Sequence, residues 1–107
     1  MSAVATVSDL APGEARAYEV DGVAIVLVRD YDGGFHALDE LCTHEAISLA
    51  DGDVEDCTIE CWKHGSAFSL LTGKPTSLPA TRPVNVYPVT IDGDDVMVET
   101  QPATRKL

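Results

Sequence analysis

Two short segments hold the residues best suited to chemistry, Cys42-Thr43-His44 and Cys61-Trp62-Lys63-His64. Each pairs a soft thiolate with a nearby imidazole, and sixteen residues, 45–60, separate His44 from Cys61. Two loops therefore offer four metal donors. Common zinc fingers pair Cys with Cys and His with His. Here each loop gives one of each type. That arrangement suits a two-iron cluster, with two thiolates on one iron and two imidazoles on the other. The donor types alone also fit a mononuclear Cys₂His₂ zinc site. A third reading takes the four as unrelated core cysteines and loop histidines. Four donors at this spacing, each beside turn residues, weigh against it.

Cys57 lies four residues before Cys61 and reads as a small buried strand residue rather than a fifth ligand or redox thiol. His36 has no cysteine nearby and reads as a strand or surface residue.

The elements that must position the donors are short strands. Turn signals recur at Pro12-Gly13, Asp21-Gly22, Asp32-Gly33-Gly34, Asp51-Gly52, Thr72-Gly73, Pro75 and Asp92-Gly93. Runs rich in Val, Ile, Tyr and Phe lie between many of them, a spacing that predicts an all-β sandwich or barrel. A hairpin is expected from Arg16–Val20 and Val23–Arg29 across Asp21-Gly22. Val23–Val28 is apolar on both faces, as a central strand should be. Gly34–Leu38 follows as a third strand. Thr58–Glu60 and Ala67–Leu70 read as two strands around a tight turn. Val84–Ile91 and Asp95–Glu99 form a closing hairpin across Asp92-Gly93, with Pro88 suggesting an edge strand. No segment shows sustained helical periodicity, and Gln101–Leu107 reads as a loose tail.

At 107 residues the chain fits one domain with a modest core, to which a bound metal would add stability. Eighteen acidic residues against seven Lys and Arg give a formal net charge of -11. That excludes nucleic acid and anionic membrane surfaces as expected partners, and it favours a basic protein partner. No apolar run reaches the length of a membrane span, and Met1–Leu10 lacks the pattern of a secretion signal. Three cysteines are too few for a disulfide scaffold. The expected location is the cytoplasm.

Cys42-Thr43-His44 and Cys61-Trp62-Lys63-His64-Gly65 resemble the two cluster-binding boxes of Rieske proteins. The likeness extends along most of the chain, through Val23–Arg29, Asp32-Gly33, Ala37, Leu49, Phe68, Thr72-Gly73, Pro79 and the hairpin at Asp92-Gly93. The resemblance implies an antiparallel β-sandwich base built from both ends of the chain. It also implies a small cluster-binding subdomain, with loops at about 40–80 inserted in a single domain 1–107. By the same resemblance, Cys42 and Cys61 ligate an inner iron and His44 and His64 an outer one, making a [2Fe–2S] cluster.

Two departures from the family's high-potential members are informative. Those carry an extra cysteine in each box, which together form a disulfide; the corresponding positions here, Ile47 and Lys63, do not bridge. They also have a serine after the second box and a tyrosine two residues later, both donating to cluster sulfurs. Ser66 keeps the serine, and Phe68 replaces the tyrosine. A lost donor to sulfur lowers the expected potential. Trp62 shields the cluster or packs at the tip. Pro75 and Pro79 resemble the family's cluster-covering loop, or form an ordinary rigid turn. Asp39, Glu40 and Glu45 flank the first box and read as a docking face or as a solvated loop.

The pattern resembles the Rieske-type ferredoxins that feed oxygenases. It implies a monomeric one-electron carrier between a flavin-dependent ferredoxin reductase and a terminal, ring-hydroxylating type oxygenase. With His44 and His64 used, His36 alone cannot supply a 2-His-1-carboxylate iron site, so the chain is expected to be a carrier and not an enzyme. The alternatives are the small Rieske-like subunit of a nitrite reductase, many of which lack the ligands, and a zinc-stabilised interaction module.

Overall fold

In the computed structural model, residues 2–41, 48–55, 58–61, 67–76 and 84–100 are described. They form β1 (Ser2–Thr6), β2 (Ala15–Val20), β3 (Val23–Arg29), β4 (Phe35–Asp39), β5 (Asp53–Glu55), β6 (Thr58–Glu60), β7 (Ala67–Ser69), β8 (Val86–Tyr87), β9 (Val89–Asp92) and β10 (Asp95–Val98). The helical elements among them are two single 3-10 turns, Val7–Asp9 and Leu49–Asp51. The strands make three antiparallel sheets, ordered β1-β10-β9, β2-β3-β4-β8 and β5-β6-β7. The all-β expectation holds. No helix among the described residues is long and apolar enough to cross a membrane.

The β2–β3 hairpin turns at Asp21 and Gly22, with φ of 51° and 80°, and Val20 pairs with Val23. Positive φ at both turn residues matches the right-handed twist of the flanking strands. From there β3 runs through the middle of the molecule. Ile25 and Leu27 face one core with Leu10, Ala37, Tyr87, Val96 and Val98. Val26 and Val28 face a second core with Leu38, Leu49, Ile59, Cys61, Phe68 and Val84. Successive strand residues point to opposite faces, so a strand between two cores must be apolar throughout.

Three expectations need correction. The segment Val84–Ile91 is two strands, β8 and β9, in different sheets. Pro88 separates them; lacking an N–H, it cannot continue the ladder. Each of β8 and β9 lies at the edge of its own sheet, where a proline is tolerated. The closing turn is centred on Gly93-Asp94, because Asp92 pairs with Asp95. Thr58–Glu60 and Ala67–Ser69 do pair, but Glu60 opposes Ala67. The intervening residues 61–66 are too many for a tight turn. β1 was not legible in advance and completes the outer sheet along β10.

Asp30 anchors the β3–β4 turn. Its carboxylate accepts from the backbone N–H groups of Asp32 and Gly34, both at 2.9 Å, and sits 2.7 Å from His36 Nε2. The His36 bond first, and the backbone donors with it, hold the Asp30 carboxyl below its ordinary value despite burial. A lowered folded-state value stabilises the fold above the unfolded pKa, and this stabilisation fades as pH falls through the folded one. Asp30→Asn is therefore expected to cost about 1.5–3 kcal/mol at neutral pH. The gap to wild type, followed by urea denaturation, should narrow as pH is lowered below the ordinary carboxyl value of 3.8. A gap independent of pH would contradict this.

Candidate metal centre

Cys61 directly follows β6 and shares the strand face of buried Ile59. It is 1% exposed, carries no disulfide, and lies in the core cluster with Leu49, Val54, Phe68, Leu70 and Val84. Its thiol is thus a soft donor screened from water at the mouth of the β6–β7 connection. Phe68, in the middle of β7, is fully buried, pairs with Ile59 and bridges to Pro75. Of the eight residues singled out for the site, these two are brought into one cluster. Cys42, His44, Trp62, His64, Ser66 and Pro79 lie outside the described residues, as do Glu45, Ile47, Cys57 and Lys63.

The described chain ends beside those residues converge. Leu41 bridges Ser48 on either side of 42–47, and Leu49 N donates to Glu40 O at 2.7 Å. Ser48 Oγ accepts from Ala50 N and caps the 3-10 turn that follows. Gly52 ends that turn so close to β6 that a Cβ there would fall well inside contact with the Glu60 carbonyl oxygen. Glu60 pairs with Ala67, whose carbonyl accepts from Thr76 N at 2.7 Å. Val84 N donates to Gly73 O at 2.8 Å on either side of 77–83. The borders of the first box, the second box and the Pro79 segment are thus joined by direct contacts around the Cys61 core.

A further tie runs through Asp39, the last residue of β4. Asp39 N donates to Asn85 O at 3.0 Å. The two carboxylate oxygens accept from Asn85 N at 2.8 Å and from the Tyr87 hydroxyl at 2.5 Å. Burial, then the adjacent Asp39, pushes the Tyr87 phenol well above its ordinary value, so it remains a donor. Asp39 is thus a structural tie between β4 and the segment that follows 77–83, a role its place beside the first box did not suggest. The only hint in the sequence was an acidic residue closing an apolar strand.

His36, in β4, lies opposite Val28 and is engaged with the Asp30 carboxylate at 2.7 Å. Among the described residues no group of three or more His, Cys, Asp or Glu is arranged to hold a metal ion. The buried Cys61 thiol fits a thiolate-ligated metal centre.

Comparisons with known proteins agree with this geometry. The Rieske [2Fe–2S] domain family model matches residues 1–88. The chain is 36% identical over 101 residues, 94% of each chain, to the ferredoxin component of biphenyl 2,3-dioxygenase from Rhodococcus jostii (strain RHA1). It superposes on the ferredoxin of carbazole 1,9a-dioxygenase from Nocardioides aromaticivorans IC177 with a TM-score of 0.86 and 38% identity, over 91% of this chain and 94% of that one. A ferredoxin–oxygenase complex of carbazole 1,9a-dioxygenase matches with a TM-score of 0.84 and 34% identity, over 92% of this chain and 100% of that one. Small subunits of nitrite reductases match at 18% and 23% identity, a likeness of fold alone.

Proposed function

Because the chain belongs to the Rieske [2Fe–2S] domain family, we propose that Cys42, His44, Cys61 and His64 are the ligands of its cluster. The chain is a Rieske-type ferredoxin, an electron-transfer component and not an enzyme. When bound, the [2Fe–2S] cluster takes up and releases a single electron. Cys42 and Cys61 would hold one iron as thiolates, and His44 and His64 would hold the other as neutral imidazoles. The observation that carries this assignment is the buried Cys61 thiol at the mouth of the β6–β7 connection, where the second box begins. Residues 1–107 are read as one domain, with the cluster-binding loops at about 40–80 inserted in the β base.

In this reading the protein is a cytoplasmic monomer. It accepts an electron from a flavin-dependent ferredoxin reductase and passes it to a terminal oxygenase of the ring-hydroxylating type. The identity to ferredoxin components of dioxygenases supports the oxygenase side. The net charge of -11 supports basic partner surfaces. With Asp39 engaged, Glu40 and Glu45 remain as the acidic groups of the first box. Salt screens such charges over about 8 Å at physiological ionic strength, and rim charges act mainly on the association rate. Stopped-flow reduction by the reductase should slow as salt rises. Neutralising Glu40 and Glu45 together should slow it at low salt while leaving cluster content unchanged. Rates flat with salt would rule out the acidic docking face.

The potential should fall in the lower part of the Rieske range of about −150 to +300 mV. Phe68 offers no hydroxyl to sulfur, and its full burial leaves a tyrosine hydroxyl there little choice of partner. Phe68→Tyr should raise the midpoint potential and Ser66→Ala should lower it, as read by voltammetry. A wild-type value near the top of the range would contradict this account.

A further inference from the structure

The borders of two segments meet through one carboxylate. Asp39 stands three residues before Cys42, at the end of β4. Asn85 follows Val84, the first described residue after 77–83. Regular β4–β8 pairing covers Ala37 with Tyr87 and Leu38 with Val86. Beyond it, the ladder is extended by a side chain. Asp39 uses its N–H and both carboxylate oxygens on Asn85 and Tyr87. Tyr87 is 5% exposed and sits in the core between the sheets, so its hydroxyl is aimed at Asp39 from a rigid base.

The same two borders also reach the Cys61 core. Val84 is buried in it, and Leu49, packed there too, donates its N–H to the carbonyl of Glu40, next to Asp39. A shift of Asn85 relative to Asp39 would therefore move Val84 against Cys61 and, at the same time, the strand end that leads to Cys42. We propose that Asp39, held by the Tyr87 hydroxyl and Asn85 N–H, is a positioning residue that fixes the strand end leading to Cys42 relative to the Cys61 core and so governs how firmly the cluster is held. The inference rests on the ligand assignment above.

A tie that served β4 alone would stabilise the fold without touching the cluster, and Asp30 provides the comparison. It accepts three hydrogen bonds at the other end of β4, around the β3–β4 turn. The experiment compares the purified full-length holoprotein with Tyr87→Phe, Asp39→Ala and Asp30→Asn variants. Release of iron to a strong chelator is timed at a temperature where all are folded by circular dichroism, and the EPR g-values of the reduced protein are recorded. Tyr87→Phe leaves every charge in place, so any change in it reports position rather than electrostatics. Tyr87→Phe and Asp39→Ala are expected to release iron about tenfold faster, a difference of about 1.4 kcal/mol, with shifted g-values. Asp30→Asn should keep wild-type release and g-values despite its lower stability. If Asp39→Ala does not fold, Tyr87→Phe decides the matter. Wild-type release and spectra in folded Tyr87→Phe, or equal acceleration in Asp30→Asn, would overturn the proposal. A wild-type protein without iron would instead overturn the ligand assignment.

Discussion

Cys61→Ser protein should purify without colour and with almost no iron. A serine hydroxyl does not replace a thiolate on iron, and the remaining donors do not make a closed four-ligand set. The structure adds a second cost. Cys61 is buried at 1% exposure among apolar side chains, so an unpaired serine hydroxyl there costs about 1–3 kcal/mol by itself. Loss of a ligand that binds the folded state alone removes at least about 2.7 kcal/mol when it was held at a hundred times its dissociation constant. Urea denaturation of holo and apo wild type beside the variant separates the two terms. Cys42→Ser, His44→Ala and His64→Ala should lose the cluster equally, and Cys57→Ser should keep it. Iron retained by Cys61→Ser, or lost from Cys57→Ser, would show the ligand set to be wrong.

Phe68→Ala should be the most damaging change away from the ligands. The ring is fully buried, and its deletion opens a cavity in the core that holds Cys61, Ile59 and Leu49. Such truncations cost about 3–5 kcal/mol, a large share of the roughly 5–15 kcal/mol that holds a domain together. In a domain of about a hundred residues, the melting temperature should fall by more than about 12 °C. Cluster content should fall with it, although no ligand is altered. Leu71, 64% exposed, is the control, and Leu71→Ala should stay within about 0.5 kcal/mol of wild type. A Phe68→Ala cost below about 1 kcal/mol would mean that the ring does not support the Cys61 core.

The family and the central strands were readable because their signals are local. Asp21-Gly22 dictates its own turn geometry, and the apolar run Val23–Val28 announces a central strand, which is buried on both faces from Ile25 to Val28. The Cys/His pairing narrows the chemistry to a two-iron cluster or a Cys₂His₂ zinc site by donor type, and the family resemblance selects the cluster. What escaped depends on partners distant in sequence. Ser2–Thr6 becomes a strand by pairing with Asp95–Val98, at the far end of the chain. Pro88 marked an edge, but not that the chain changes sheets there. Asp39 has the same look as Glu40 or Glu45; only the approach of Asn85 and Tyr87, forty-six and forty-eight residues away, shows it to be a structural tie.

The most direct test of the account is pulsed EPR on reduced protein grown with ¹⁵N-labelled histidine, with iron and acid-labile sulfide assayed on the same sample. The account predicts two irons and two sulfides per chain, as a [2Fe–2S] centre requires. It also predicts coupling from two distinct histidine nitrogens, with unchanged signals in a His36→Asn variant. A single zinc without sulfide, or a two-iron centre without histidine coupling, would contradict it.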